Sequence, residues 1–203
     1  MSVLPSILYL SRSTKFMKST PEIITILKNK QKKKSKNHQN AAHTRRQRGY
    51  HWEDTIVKRF NSAENWSAFR LGSPSIALPD VLAVNTNESS IFTIEAKSGT
   101  TNSLPVPEDQ IERCLKWIET FDIYQNRKVI LAFKFLSKKR IGLGIYESRE
   151  LREFFKIWDT SIPITNCVCT YEGKVFAKIN GERKEIKLKD HSMPFKTKFR
   201  NYA

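Results

Sequence analysis

The fold of this chain is decided by the stretch Leu78-Pro-Asp80-Val-Leu-Ala-Val-Asn85-Thr-Asn-Glu-Ser-Ser90-Ile-Phe-Thr-Ile-Glu95-Ala-Lys97. Its flanks are apolar and rich in β-branched residues, and the polar segment 85–90 has the composition of a turn, so the stretch predicts a β-hairpin. Because side chains alternate faces along a strand, Glu95 and Lys97 point the same way. Antiparallel pairing can bring Asp80, at the start of the first strand, alongside Glu95. The stretch therefore predicts two carboxylates and one amine at the open end of a hairpin.

This group of side chains has the chemistry of a site for a hard divalent cation. Carboxylate oxygens at close range favour Mg²⁺, which keeps several waters and bridges to a phosphate. A neighbouring lysine can orient an attacking water or stabilise charge that grows on the phosphate. The alternative is a solvated strand edge with an ordinary ion pair. The hairpin alone does not decide between the two.

The net charge of the 203-residue chain is +16, and most of the excess lies near its ends. Residues 1–48 have 12 Lys and Arg against one acid, and residues 181–203 have seven against three. Residues 49–180 have 17 basic and 16 acidic side chains, so the middle of the chain is nearly neutral. This distribution predicts a polyanion partner bound by flexible basic arms around a neutral domain. It indicates nucleic acid without specifying an activity.

Residues 1–44 are predicted to be a disordered basic leader, because the lysine-rich block 28–36 repels itself and cannot pack. The first 21 residues are rich in Ser and free of acids, so an organellar transit peptide is a minor alternative to a phosphate-binding arm. No run is long enough to span a membrane, and a cytoplasmic, nucleoid-associated protein is expected. The three cysteines are expected to be buried thiols and not a disulfide framework or a zinc site.

The first predicted helix begins near Arg45-Arg46-Gln-Arg48-Gly49 and runs to Phe60. Its apolar residues, of which Trp52 and Ile56 are two, fall at helical spacings. Glu53 shares their face, and a carboxylate on an inward face is costly unless it is paired or binds a metal. The ordinary alternative is a surface ion pair with a neighbouring cation.

The remaining pattern predicts a mixed α/β sheet with a helix on each side. Further helices are predicted from Pro107 and from Ser148 to about Trp158, with a polar loop over 98–107 and a basic turn over 137–140. Asn180-Gly181 predicts a tight hairpin turn before the last strand. Other strands are predicted at 66–71, 128–135, 141–146, 164–170, 175–179 and 185–188. Three parts follow: the leader 1–44, a domain 45–160, and a C-terminal β-hairpin with a basic tail, 161–203.

Five motifs occur in order along the chain: Arg48-Gly49-Tyr-His-Trp-Glu53, Arg70-Leu-Gly-Ser73, Pro79-Asp80, Glu95-Ala-Lys97 and Ala132-Phe-Lys134-Phe-Leu136. Together they resemble the archaeal Holliday junction resolvases, which belong to the PD-(D/E)xK superfamily of nucleases. The resemblance implies a restriction-endonuclease-like fold and a homodimer that acts on four-way DNA junctions. It also implies metal binding by three carboxylates, with Mg²⁺ as the ion and Mn²⁺ as a substitute.

The resemblance assigns roles residue by residue. Catalytic roles are implied for Glu53, Asp80, Glu95 and Lys97, of which the three acids hold the metal. Contacts with DNA are implied for Arg70 and Ser73, and we expect Arg48, Lys138, Lys139 and Arg140 to lie along phosphates as well. The chain departs from the family at Asp54, where an Arg is common, so that DNA contact is absent or moved.

The function that the resemblance implies is resolution of Holliday junctions in recombination and repair, by paired Mg²⁺-dependent hydrolysis of phosphodiesters. A second hypothesis keeps the nuclease fold but has a flap or a plain duplex as the substrate. A third is a non-catalytic nucleic-acid-binding protein on a decayed nuclease fold. The presence of all four implied catalytic residues argues against decay.

Overall fold

The structure is a computed structural model that describes residues 43–44, 46–47, 49–71 and 78–197. Residues 1–42 of the predicted leader, and with them its basic block, lie outside the described residues. The elements, in chain order, are α1 (helical at the described residues 43–44, 46–47 and 49–61), β1 (Ser67–Arg70), β2 (Val81–Asn85), β3 (Ser90–Gly99), β4 (Ser103–Val106), α2 (Glu108–Glu119), β5 (Asn126–Phe135), β6 (Lys138–Arg140), β7 (Tyr146–Ser148), β8 (Arg152–Ile157), β9 (Cys167–Thr170), β10 (Val175–Ile179) and β11 (Glu182–Ile186).

The centre of the fold is a five-stranded mixed sheet with the strand order β1-β2-β3-β5-β8. The predicted hairpin is confirmed as β2 and β3, which pair antiparallel with Val81 opposite Ile94. Strands β3 and β5 are parallel and are connected through α2, whereas β5 and β8 are antiparallel. Both β3 and β5 are buried on both faces for most of their length, as expected for strands in the middle of a sheet that is covered on each side.

Helix α1 covers one face of this sheet. Its apolar stripe, which includes Trp52, Ile56 and Phe60, is completely or almost completely buried against residues of β1, β2, β3, β5 and β8. The indole Nε1 of Trp52 donates a hydrogen bond of 3.2 Å to the carbonyl oxygen of Ala132 on β5. This bond fixes the rotation of the helix about its axis, so the position of the next residue, Glu53, is also fixed.

Helix α2 and a second sheet cover the other face. The second sheet is antiparallel with the order β11-β10-β9-β4, and its inner residues share one core with α2 and the central sheet. The predicted turn at Asn180-Gly181 is confirmed, since both residues have the positive φ angles (52° and 84°) of a two-residue hairpin. The three cysteines are free buried thiols, as predicted.

Strand β4 is a feature that the sequence analysis missed. We expected a polar loop over 98–107, but Leu104 and Val106 are buried and β4 pairs with β9. Pro105, which lacks a backbone donor, is compatible with this position because β4 is an edge strand.

Three predicted elements are wrong. The helix predicted from Ser148 to Trp158 is strand β8, which pairs antiparallel with β5 at the edge of the central sheet. The strand predicted at 141–146 is the turn of a hairpin formed by β6 and β7, and the predicted basic turn 137–140 is largely β6. Gly144, with φ = 76°, provides a backbone conformation that a strand does not have.

The described C-terminal segment returns to the central sheet. His191 N donates to the Phe155 carbonyl oxygen at 2.8 Å, and Met193 and Phe195 pack in the core beneath α1. The strands within the predicted C-terminal segment, 161–203, also share a core with elements of the predicted domain 45–160. The division of the chain into three parts stays a prediction. Within the described ranges, no helix is long and apolar enough to cross a membrane.

Candidate active site

Asp80 and Glu95 lie together at the open end of the predicted hairpin. The register pairs Val81 with Ile94, so Asp80, which directly precedes β2, is next to Glu95. The Asp80 side chain is held there because its Oδ2 accepts a hydrogen bond of 2.8 Å from the backbone N–H of Ala96. The convergence of these two carboxylates, which was predicted from the sequence, is therefore present in the structure.

Glu95 is the most buried acid of this group, with none of its surface exposed. Lys97 Nζ donates to Oε1 of Glu95, and Arg113 Nη2 donates to Oε2 at 2.8 Å. Burial raises the pKa of the Glu95 carboxyl above its ordinary value and the nearby Asp80 adds to this effect, while Lys97 and Arg113 oppose it. Two cations thus oppose the effect of burial and favour the charged form of the Glu95 carboxylate.

Arg113 is a site residue that the sequence analysis did not identify. It lies on α2, next to the buried Cys114, and its side chain is mostly buried. In the sequence it resembles one more surface cation of a charged helix. The only local signal for this role was its position beside the apolar stripe of Ile111, Cys114 and Ile118. This stripe packs α2 against the face of the sheet that carries Glu95.

Glu53 reaches the site from the other side, on α1. Only 7% of its surface is exposed, and its Oε2 is buried without a hydrogen-bond partner among the described residues. Burial raises the pKa of Glu53 to about 7, and the negative charges of Asp80 and Glu95 contribute to the increase. The sequence prediction that Glu53 faces inward is confirmed; its predicted alternative, a surface ion pair, is not what the structure has.

The donor set fits a hard divalent cation in its chemistry. An unpartnered buried carboxylate oxygen on Glu53, close enough to two other carboxylates to be affected by them, is a feature that a bound cation would stabilise. Among the residues the structure describes, however, no three acidic, His or Cys side chains are already arranged as a metal site. Both oxygens of Glu95 accept hydrogen bonds from Lys97 and Arg113, so a bound cation would share this carboxylate with two basic side chains.

The predicted DNA-contact residues are only partly within the described ranges. Arg48 and Ser73 lie outside them. Arg70 is half-exposed near the site, where it forms an ion pair of 3.3 Å with Asp54 and lies over the ring of Tyr50. Asp54 stands where an Arg is common in the family that the five motifs resemble. In this chain it forms an ion pair with Arg70 instead.

The three other predicted contact residues lie together on β6. Lys138 and Arg140 are exposed, and Lys139 is 3.9 Å from Glu147 on the paired strand β7. They form a basic edge near the end of the central sheet that carries the site. Their contact with phosphates stays a prediction.

The Lys of the fifth motif belongs to a separate buried cluster. Lys134 Nζ lies 3.6 Å from Glu153 and above the ring of Trp52. Arg59 on α1 binds the same carboxylate through two hydrogen bonds, of 2.7 and 3.1 Å. This cluster connects α1 with β5 and β8, and so helps to hold Glu53 in place.

Comparison with known proteins gives a family match and matches to solved structures. The family described as "Archaeal holliday junction resolvase (hjc)" matches residues 44–164. The structure of Hjc, a Holliday junction resolvase from the archaeal hyperthermophile Archaeoglobus fulgidus, is 16% identical to this chain, with a TM-score of 0.42. The match covers 61% of this chain and 84% of that chain. No curated protein sequence matches the chain.

Proposed function

The chain belongs to the archaeal Holliday junction resolvase family, and from this membership we propose that it is a metal-dependent, structure-selective DNA endonuclease that resolves four-way junctions. The resemblance predicted from the five sequence motifs is confirmed by the family match, which covers all five. DNA is the partner that this family implies. The dependence on Mg²⁺, the dimer and the roles of single residues are our proposals.

The convergence of Glu53, Asp80 and Glu95 with Lys97 is the observation that carries this proposal. These residues come from α1, from the start of β2 and from β3, and are far apart in the sequence. Electrostatic effects of Asp80, Glu95 and Lys97 on the pKa of Glu53 reflect their closeness. A decayed fold would have no reason to retain three carboxylates at such a cost.

We propose that Glu53, Asp80 and Glu95 hold the cation. When bound, Mg²⁺ supplies a Lewis acid that stabilises charge on the phosphate and lowers the pKa of water. The ammonium group of Lys97 orients the attacking water or neutralises charge on the phosphate oxygens. Arg113 is not exposed enough to serve as a phosphate clamp, and its proposed role is to position Glu95.

A homodimer is part of the proposal for a mechanical reason. Resolving a junction requires two opposed nicks, and a two-fold symmetric protein places two identical sites on the two strands to be cut. The basic edge of β6 and the half-exposed Arg70 would contact phosphates on either side of the site. Phosphate contacts of this kind set affinity and orientation, whereas junction selectivity depends on the shape of the DNA.

The experiment that tests the function compares three labelled substrates of the same length: a four-way junction, a flap and a plain duplex. Each is incubated with the protein with and without Mg²⁺. We expect paired symmetric nicks in the junction, only with the cation. Preferred cutting of the flap or duplex would favour a repair or restriction-type nuclease. Binding of all three without cutting, in Mg²⁺ and in Mn²⁺, would favour a non-catalytic binding protein and contradict the proposal.

A further inference from the structure

The hairpin formed by β6 and β7 is attached at the end of the central sheet where the proposed active site lies. Arg140 N donates to the Thr100 carbonyl oxygen at 2.9 Å, and Leu136 N donates to that of Gly99 at 2.9 Å. Both acceptors follow Lys97 by two or three residues along β3 and its extension. The hairpin therefore begins beside the strand end that presents Glu95 and Lys97.

The base of the hairpin is fixed by one side chain, that of Arg149. Its guanidinium group donates to the carbonyl oxygens of Leu136 at 2.9 Å and Thr101 at 3.1 Å, and to Asn102 Oδ1 at 3.2 Å. It also lies over the ring of Tyr171, 4.6 Å from the ring centre. A fourth, longer hydrogen bond of 3.5 Å goes to the carbonyl oxygen of Gly99. A guanidinium with its donors distributed over four acceptors holds the hairpin base to the rest of the domain.

The tip of the hairpin is apolar and exposed. Leu143, at the centre of the turn, has 91% of its surface exposed, and Ile141 and Ile145 have 58% each. The next residue, Tyr146, is 44% exposed. Single exposed apolar residues are common, but four within six positions at the end of a fixed projection mark a contact surface.

Cations lie directly behind this apolar tip. The register pairs Arg140 with Tyr146 and Lys138 with Ser148, so both cations and the tyrosine ring are on one face of the hairpin. This arrangement matches the two parts of a nucleic acid. The cations suit the phosphates on the outside, and the tyrosine ring and the apolar tip suit the base faces on the inside.

From these observations we infer that the tip of the β6–β7 hairpin is a wedge that inserts at the branch point of the DNA, against base faces that the opening of the stack exposes. This inference rests on the proposed function and deepens it. Lys138 and Arg140 then lie along the phosphates of the entering duplex, while Leu143 and its two isoleucine neighbours contact bases. Apolar side chains inserted at a base step in this way unstack it and bend the DNA.

The position and size of the tip favour DNA over other partners. The hairpin projects from the sheet end that carries the proposed active site, to which DNA must come. A tip of three aliphatic residues is too small for the roughly 800 Å² per partner that a stable contact between two copies buries. Its flanking cations also match the phosphate charge of DNA.

The test uses the full chain and a four-way junction with 2-aminopurine at the branch point, without divalent cation so that the DNA stays uncut. We expect the wild type to increase 2-aminopurine fluorescence, because the base becomes unstacked. The double substitution of Leu143→Ser with Ile145→Ser should abolish the increase and lower the preference for junction over duplex by about tenfold, since the variant buries less aliphatic surface against the bases. The slope of log affinity against log salt should stay unchanged, because no cation is removed.

The matched control is Ile123→Ser, which replaces an apolar residue whose exposure (80%) lies between those of Leu143 and Ile145. Ile123 comes just before β5, whereas the β6–β7 hairpin follows the other end of that strand. The control variant should behave as the wild type. Because the substituted tip residues are exposed, the variants should fold normally, and an unchanged melting temperature checks this. Since fluorescence is measured on uncut DNA, a protein that opens the branch but never cuts it would contradict the proposed function and leave the wedge intact.

Three results would overturn the wedge. The first is no fluorescence increase with the wild type, and the second is an undiminished increase with the double variant. The third is a change in oligomeric state by light scattering in the double variant alone, which would assign the tip to a contact between copies of the chain.

Discussion

Arg113 on α2 donates a hydrogen bond of 2.8 Å to Oε2 of Glu95, the fully buried carboxylate of β3. The other oxygen of Glu95 accepts from Lys97, so one carboxylate lies between two cations from different elements. A buried charge is stable only with such partners. Helix α2 is thereby connected to the proposed catalytic strand, although none of the sequence motifs includes it.

Replacing Arg113 with Ala should impair cleavage through Glu95. With one cation removed, the pKa of Glu95 rises further, because Arg113 no longer opposes the effect of burial. We expect nicking at pH 7 to fall on the order of 10-fold to 100-fold, as for a displaced catalytic group. The acid limb of the pH–rate profile should shift to higher pH, which a purely structural defect would not produce.

The matched control for Arg113 is Lys116→Ala on the same helix. Lys116 is exposed, and among the described residues its ion-pair partner is the half-exposed Glu112, so its replacement should change rate and stability little. Arg113→Ala should also lower the free energy of unfolding by on the order of 3 kcal/mol at neutral pH, since a buried ion pair loses a partner. Equal pH–rate profiles for both variants would disprove the positioning role of Arg113.

Glu53→Gln should stabilise the protein at high pH when no divalent cation is present. The pKa of Glu53 is raised from 4.5 to about 7 in the folded protein. The folded state therefore binds more protons than the unfolded state between these values, and wild-type stability falls as pH rises from 4.5 to 7. Glutamine removes this dependence, so the variant should gain about 3 kcal/mol relative to the wild type above the folded-state pKa and nothing below the unfolded-state pKa.

Chemical denaturation in EDTA at pH 4, 6 and 8 measures this gain. Glu64→Gln, at an exposed position just after α1, is the control and should show no pH-dependent difference from the wild type. A Glu53→Gln variant that is less stable than the wild type at pH 8 would mean that the charged carboxylate has a stabilising partner. In Mg²⁺, the same variant should lose most of its cleavage rate while staying folded.

The basic leader should contribute affinity without selectivity. If it is a phosphate-binding arm, deleting residues 1–44 weakens binding to every DNA shape by a similar factor. For each phosphate on duplex DNA that the leader no longer binds, the slope of log affinity against log salt should flatten by about 0.9. Replacing the lysines of 28–36 with Gln in the full chain should have a similar but smaller effect. An unchanged slope after deletion would rule out the arm and favour a targeting peptide.

The elements that were predicted correctly are those with a strong local signal. The β2–β3 hairpin has apolar flanks and a polar turn, and Asn180-Gly181 provides the positive φ angles of a tight turn. Strand β8 lacked such a signal. Leu151, Phe154, Phe155 and Trp158 are spaced as on a helix, but pairing with β5, far away in the sequence, decides for a strand.

Arg113 of the site and Glu153 of the neighbouring buried cluster were missed for the same reason. Each is a charged residue whose partner lies on another element, and a single sequence does not show which cation meets which carboxylate. The prediction of Glu53, by contrast, succeeded in placing it inward because Trp52 and Ile56 define the buried face of α1. The β6–β7 hairpin was misassigned because Gly144, with its positive φ angle, and not the apolar residues beside it, sets the turn.

The central claim is that the carboxylates at the end of β2 and β3 and on α1 carry out DNA cleavage. Single-turnover nicking of a labelled four-way junction in Mg²⁺ by Glu95→Gln tests it most directly, with the half-exposed Glu112→Gln as the matched control. The account predicts that Glu95→Gln loses cleavage by on the order of 100-fold or more but binds the junction as tightly as the wild type or tighter, since less negative charge faces the phosphates. Near-wild-type nicking by Glu95→Gln would contradict it.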